Sequence, residues 1–97
     1  MFYTLTILIP VYNEENNIEN TLINIYKALQ NYNFTFEIIL VNDGSTDNTI
    51  KLISSIKDKY KNLKIINHNK NLGFGASYKT GLTNANSIFF LMIQGDN

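Results

Sequence analysis

Four stretches of the chain are apolar at nearly every position. They are "LTILIP" (5–10), "FEIILVN" (36–42), "LKIIN" (63–67) and "SIFFLMI" (87–93), all rich in Ile, Val, Leu or Phe. A strand apolar on consecutive residues, rather than every second one, is covered on both faces, so these runs predict buried parallel strands. Between them the period lengthens. Over 17–29, Ile18, Leu22, Ile25, Tyr26 and Leu29 recur at helical spacings. Over 47–60, Ile50, Ile53, Ile56 and Tyr60 do the same. A weaker stripe over 74–85 uses Ala76, Tyr78 and Leu82 and contains Gly81. A glycine inside a helix costs about 1 kcal/mol against alanine unless close packing needs the missing side chain. The order β-α-β-α-β-α-β implies right-handed crossovers and a parallel α/β sheet.

In such sheets ligands bind outside the carboxyl ends of the strands. The polar clusters fall there: "PVYNEE" (10–15), "NDGSTDNT" (42–49), "NHNKNLGFG" (67–75) and "QGDN" (94–97). Each also has a plain structural reading. Ser45 or Thr46 fits a helix N-cap with Asp47 in the first turn. Glu14 and Glu15 suit a helix N-terminus. Asn71 and Gly73 suit a loop, Asp96 a turn, and His68 a solvated loop position. What favours a site is that all four clusters meet on one rim. Helix N-termini there attract phosphate, and a carboxylate beside a phosphate needs a bridging divalent cation. Asp43, on another strand end, can accept N–H bonds from a base. A nucleoside diphosphate with a metal is the chemistry this rim suggests.

Bulk properties narrow the field. The chain has 97 residues and a formal net charge of zero, with 44% hydrophobic and 16% charged residues. That is one globular domain with no basic surface for nucleic acid. All the basic residues are Lys, so no guanidinium fork is available for phosphate. Cysteine is absent, which excludes disulfides and thiolate metal sites and fits a cytoplasmic protein. The first residues, "MFYTLTILIP", lack the features of a signal peptide.

Together, "TILIPVYNEENNIENTL", "EIILVNDGSTDNTI", "NLGFGASYKTGL" and "FFLMIQGDN" resemble the amino-terminal half of family 2 glycosyltransferases, the inverting GT-A group. The look is nearest to the dolichyl- or polyprenyl-phosphate mannosyltransferase-like branch. The resemblance implies a three-layer αβα Rossmann-like half-domain over 1–97 with strand order 3-2-1-4, truncated at the Asp-x-Asp-like motif. It implies that Pro10, Tyr12 and Glu14 line a nucleoside pocket and that Val41 and Asp43 contact the base. The loop from Asn71 to Gly75, with Gly73 in it, would lie near the nucleotide. Gln94, Gly95 and Asp96 fall on the Asp-x-Asp motif; Gln94 departs from it, and Asp96 matches the acid that ligates Mg²⁺ or Mn²⁺.

The implied reaction is inverting transfer of a sugar from a nucleotide-diphospho-sugar to a hydroxyl or a polyprenyl or dolichyl phosphate, as in envelope polysaccharide or glycolipid synthesis. It would run in the cytoplasm or at the cytoplasmic membrane face. The catalytic base is expected beyond Asn97, so these residues alone should be inactive. Their apolar fourth strand should drive self-association, most simply as a homodimer. Two rivals are a catalytically silent binding module and a dinucleotide-binding oxidoreductase. The latter rests on Gly73-Phe74-Gly75, but Tyr78 stands where the third glycine belongs and the loop follows the third strand.

Overall fold

The computed structural model describes residues 2–94. Strands and helices alternate: β1 (Tyr3–Val11), α1 (Ile18–Leu29), β2 (Phe36–Asp43), α2 (Thr49–Ile56), β3 (Leu63–His68), α3 (Phe74–Asn84) and β4 (Ser87–Met92). A 3-10 turn at Lys57–Lys59 follows α2. All pairings are parallel, in the order β3-β2-β1-β4, as the resemblance implies. Ile93 N donates to Leu8 O at 2.9 Å and carries the β1–β4 ladder one step past β4.

The alternation of side chains along β1 and β2 divides the core in two. Ile7, Ile9, Ile38 and Leu40 face α1 and α2, where Ile18, Leu22, Ile53 and Ile56 meet them. Leu8, Ile39 and Val41 face the other way, with Phe90 and Met92, toward α3. Tyr26 seals one edge of the larger core. Its ring packs edge-on to Phe36 at 5.5 Å, its hydroxyl donates to Lys61 O at 2.6 Å, and burial pushes its pKa up.

Two helical stripes differ from expectation. In α3 the buried residues are Ser77 and Gly81, while Tyr78 and Leu82 are exposed. The reason is distance. A Cβ on Gly81 would lie 2.4 Å from Leu8 Cδ1, so only small residues fit between this helix and the sheet. In α2, Thr49 takes the inner position and Ile50 is 42% exposed. Thr49 is held there by polar bonds described below. The fourth strand also departs from the pattern of full burial. Phe89 is 63% exposed, and Ile88 and Leu91 are exposed beside it, because β4 lies at the sheet edge among the described residues.

The amino ends of the strands hold a buried acid that the hydrophobic pattern hides. Glu37 is 1% exposed, in the middle of an apolar run. Its Oε2 accepts from Thr6 Oγ1 at 2.7 Å and from Asn86 N at 2.7 Å; Lys64 Nζ stands 3.3 Å from Oε1. One carboxylate of β2 thus holds β1, β3 and the entry to β4. Burial alone would raise its pKa, but the bonds from Thr6 and Asn86 and the Lys64 charge outweigh it and hold the carboxyl below its ordinary value. Glu37→Ala removes the acceptor shared by Thr6 Oγ1 and Asn86 N, while Thr6 keeps Ser87 Oγ at 2.7 Å and the half-exposed Lys64 turns to water. The expected loss is about 1–3 kcal/mol in urea unfolding, the cost of leaving a buried donor without its charged acceptor.

Candidate functional site

The rim at the carboxyl ends of the strands is built by loops that tie to one another. Asn13, in the loop after β1, adopts a left-handed φ of 54°, a conformation asparagine tolerates better than most residues. That turn aims its side chain at the loop after β2. Asn13 Oδ1 accepts from Thr46 N at 2.7 Å and Asp47 N at 3.3 Å, and Asn13 N donates to Ser45 Oγ at 3.0 Å. Glu14 N donates to Thr49 Oγ1 at 3.0 Å. The Gly-Ser-Thr-Asp segment is therefore largely a clasp between two loops. Its helix cap also differs from expectation. Asp47, not Ser45 or Thr46, accepts the N–H and the hydroxyl of Thr49, and Asp47 precedes the helix instead of lying in its first turn.

Asp43 ends β2 and organises the third loop. Its Oδ1 accepts from Leu72 N at 2.9 Å and from His68 Nδ1 at 2.7 Å; its Oδ2 accepts from Gly73 N at 2.9 Å. An ionised carboxylate only accepts, so the Nδ1 of His68 carries the proton. The other ring nitrogen, Nε2, lies 2.8 Å from Thr80 Oγ1 of α3. His68 is thus no solvated loop residue. It is the last residue of β3 and joins Asp43 to α3. Burial would raise the Asp43 pKa, but His68 and the two backbone N–H groups prevail and hold it below the ordinary range.

Gly44, next in the chain, has φ 71°, and a Cβ there would lie 2.3 Å from the carbonyl carbon of Lys70. Backbone meets backbone at that point, so neither the conformation nor the contact admits a side chain.

These loops enclose a cavity of about 310 Å³. Pro10 and Val11 line it from β1, Tyr12 and Glu14 from the following loop, and Asp43 from β2. Asn71 and Gly73 come from the third loop, Phe74 and Ser77 from α3, and Gln94 from beyond β4. The structure thus gathers Pro10, Tyr12, Glu14, Asp43, Gly73 and Gln94 around one space. Val41 is not among them. Two residues before Asp43 on β2, its side chain is fully buried in the α3-side core with Leu8 and Ile39. The expectations for Gly95 and Asp96 fall outside the described residues.

Asn71 and Phe74 belong to the loop expected near the nucleotide, whereas Ser77 was not singled out by sequence. The available signal was the spacing Gly73, Ser77, Gly81, which sets small residues on one helical face. A second groove of about 520 Å³, lined by Asn17, Asn20, Asn24 and Ile93 among others, adjoins the cavity at Gln94.

Chemically, the cavity has apolar walls, a ring at its mouth and carboxylates as acceptors, with no Lys among its lining residues. It suits a neutral, flat, N–H-bearing group better than an anion. Among the described residues no group of three His, Asp or Glu could hold a metal ion. No described helix is long and apolar enough to cross a membrane.

The carboxylates here set an acid limit on stability. Asp43, Glu37 and Asp47 all have lowered pKa values, so their contributions are present above the ordinary carboxyl range. They are lost as pH falls through the lowered folded values. Unfolding midpoints should be flat from about pH 7 to 5 and drop below about pH 4. Asp43→Asn should lower the plateau and lessen the drop, as followed by circular dichroism.

Known proteins share this architecture. The model of glycosyl transferase family 2 matches residues 6–97. A dolichyl-phosphate beta-glucosyltransferase of Trichomonas vaginalis is 34% identical over 96 residues, covering 94% of this chain and 28% of its own length. The chain therefore spans less than a third of that relative. The S. aureus TarS 1–349 structure in complex with UDP-GlcNAc superimposes with TM-score 0.81 at 29% identity, over 96% of this chain and 26% of that one. The mannosyltransferase PcManGT of Pyrobaculum calidifontis, solved with GDP-Man and Mn²⁺, gives TM-score 0.84 at 23% identity over 99% and 28%. That last likeness is one of fold. The partial dinucleotide fingerprint at Gly73 and Gly75 is accounted for by the same match, since it lies inside the family region. Four parallel strands in this order, the rim they carry and a family match over nearly the whole sequence lead to one statement: the chain belongs to glycosyl transferase family 2.

Proposed function

We propose that the cavity receives the nucleoside of a nucleotide-diphospho-sugar, and that this chain is the donor-binding part of an inverting glycosyltransferase. The observation that carries the reading is the convergence of Pro10, Tyr12, Glu14, Asp43, Gly73 and Gln94 on one space at the carboxyl end of the sheet. The nucleotide sugars held by the TarS and Pyrobaculum proteins support it. Tyr12, exposed at the mouth, packs its ring on the base or ribose. Asp43 accepts an N–H of the base. Glu14 and Gln94, on the rim, bond the ribose hydroxyls.

The acceptor is a hydroxyl or a polyprenyl or dolichyl phosphate; the Trichomonas relative's name points to the lipid phosphate. The described residues do not by themselves compose a metal site. Asp96, with groups elsewhere in the whole protein, is the proposed ligand for Mg²⁺ or Mn²⁺, and the Mn²⁺ of the Pyrobaculum structure supports that choice. Such a cation offsets charge on the departing diphosphate. The base that deprotonates the acceptor is assigned to no described residue.

Tyr12→Ala tests the site without disturbing the core. Base-on-aromatic packing is worth about 1–3 kcal/mol, so UDP or GDP binding should weaken about five- to a hundredfold with an unchanged melting temperature. Calorimetric titration measures it. An unchanged dissociation constant removes Tyr12 from the site; no binding of either nucleotide overturns the assignment.

The chain is further proposed to self-associate through β4, whose outer edge is unpaired among the described residues and whose Ile88, Phe89 and Leu91 are exposed. Sedimentation equilibrium should show a dimer at high concentration. A monomer throughout would reject this edge as an association surface.

A further inference from the structure

One wall of the cavity, at Asn71 and Gly73, is a loop with few apolar contacts, and it hangs on Asp43. The Asp43 carboxylate accepts from Leu72 N and Gly73 N, and its backbone carbonyl accepts from Asn71 Nδ2 at 3.3 Å. All three donors belong to that same loop. The last torsion of an aspartate is soft, so a carboxylate held from one loop alone turns with it. His68 comes from a different element, β3, and its Nδ1 donates to Asp43 Oδ1 at 2.7 Å. That bond fixes the carboxylate against the sheet.

His68 is itself held from its far side. Its Nε2 lies 2.8 Å from Thr80 Oγ1, in the second turn of α3. The His68 and Asp43 side chains are 9% and 7% exposed, so water is a poor substitute for either partner. A hydroxyl both donates and accepts, so Thr80 serves Nε2 whether or not that nitrogen carries a proton. With its two nitrogens bonded to two different elements, the ring is a spacer of fixed length between α3 and Asp43. The residue after Thr80 is Gly81, where the helix is packed hard against Leu8 of the sheet, so the spacer stands on a firm base.

We propose that Thr80 and His68 are positioning residues for the cavity: acting through Asp43, they hold the 71–73 loop in its ligand-ready form before a nucleotide arrives. Neither is among the residues that line the cavity. Without the Thr80 hydroxyl, Nε2 becomes a buried acceptor with no partner, and the ring gains by turning away from Asp43. Asp43 then keeps only the donors of the loop, and carboxylate and loop move together. Part of the binding energy of any ligand goes into ordering that wall again.

This role rests on the nucleotide reading above, and the experiment separates the two. Thr80→Val keeps the shape of the side chain and removes the hydroxyl; Thr80→Ser keeps the hydroxyl. Both are made in the 97-residue chain and compared first without ligand by two-dimensional NMR. In Thr80→Val the amide protons of Leu72 and Gly73 should shift upfield as their bonds to the carboxylate weaken. The ring nitrogens of His68, the only histidine of the chain, should move with them. Thr80→Ser should leave these signals near their original places. UDP and GDP are then titrated. Whichever binds the unaltered chain should bind Thr80→Val about two- to thirtyfold more weakly and Thr80→Ser within about twofold. Thr80→Ala, which lacks the hydroxyl and crowds nothing, carries the same expectations should the valine variant not fold. Unmoved Leu72 and Gly73 signals, or unchanged nucleotide affinity, in a folded variant without the hydroxyl overturn the positioning role and leave the nucleotide site standing. Binding of neither nucleotide to the unaltered chain overturns the nucleotide reading, and the positioning role with it.

Discussion

A carboxylate buried at the end of a parallel strand must find donors, and Asp43 finds them in the loop it has to shape. Two backbone N–H groups, Leu72 and Gly73, have no partner of their own in the turn before α3. His68 supplies a third donor and reaches on to Thr80. The position of α3, the left-handed turn at Gly73 and the wall of the cavity all follow from that one group. Hydrogen bonds to an ionised acceptor are among the stronger ones, which suits a loop with few apolar contacts of its own. A residue read from sequence as a ligand contact is first an anchor, and only its remaining acceptor position is free to recognise anything.

The same economy governs the other loops. With no arginine and no Lys at the cavity, the rim is rigidified by asparagine, serine, threonine and aspartate bonding to backbone. Asn13 joins the loops after β1 and β2, and Thr49 accepts from Glu14 N while bonding Asp47. At the opposite end of the sheet Glu37 plays the corresponding part between strands. The sheet is thus pinned at both ends by acids of β2, six residues apart and on the same face, with Ile39 and Val41 packed between them. The cavity lies at the Asp43 end.

This division explains what could be read from the sequence. Parallel strands were legible because consecutive apolar residues have no other economical use in a chain this small. The rim was legible because turn-forming polar residues cluster where those runs end. The stripes of α2 and α3 misled because periodicity weighs hydrophobicity and not the distance between layers. Gly81 faces the sheet because Leu8 leaves no room for a side chain, Ser77 shares that inward face one turn earlier, and Thr49 turns inward because polar bonds hold it. His68 and Glu37 were opaque for a related reason. A polar residue in a strand reads as solvated until its partners are seen, and Thr6, Thr80 and Asn86 lie 12 to 49 positions away. Val41 was opaque too: two positions from Asp43 on the same strand, its side chain belongs to the core and not to the cavity lining.

Close packing of α3 has a consequence for the cavity. Because Gly81 lets the helix sit against Leu8, α3 lies near the sheet, and Ser77 is buried on the face it turns inward. Ser77 and Phe74 of the same helix form one wall of the cavity, opposite Pro10 and Val11 of β1. The small residues of α3 thus act at two levels. They set how near the helix lies to the sheet, and through that distance they shape the space at the carboxyl ends of the strands.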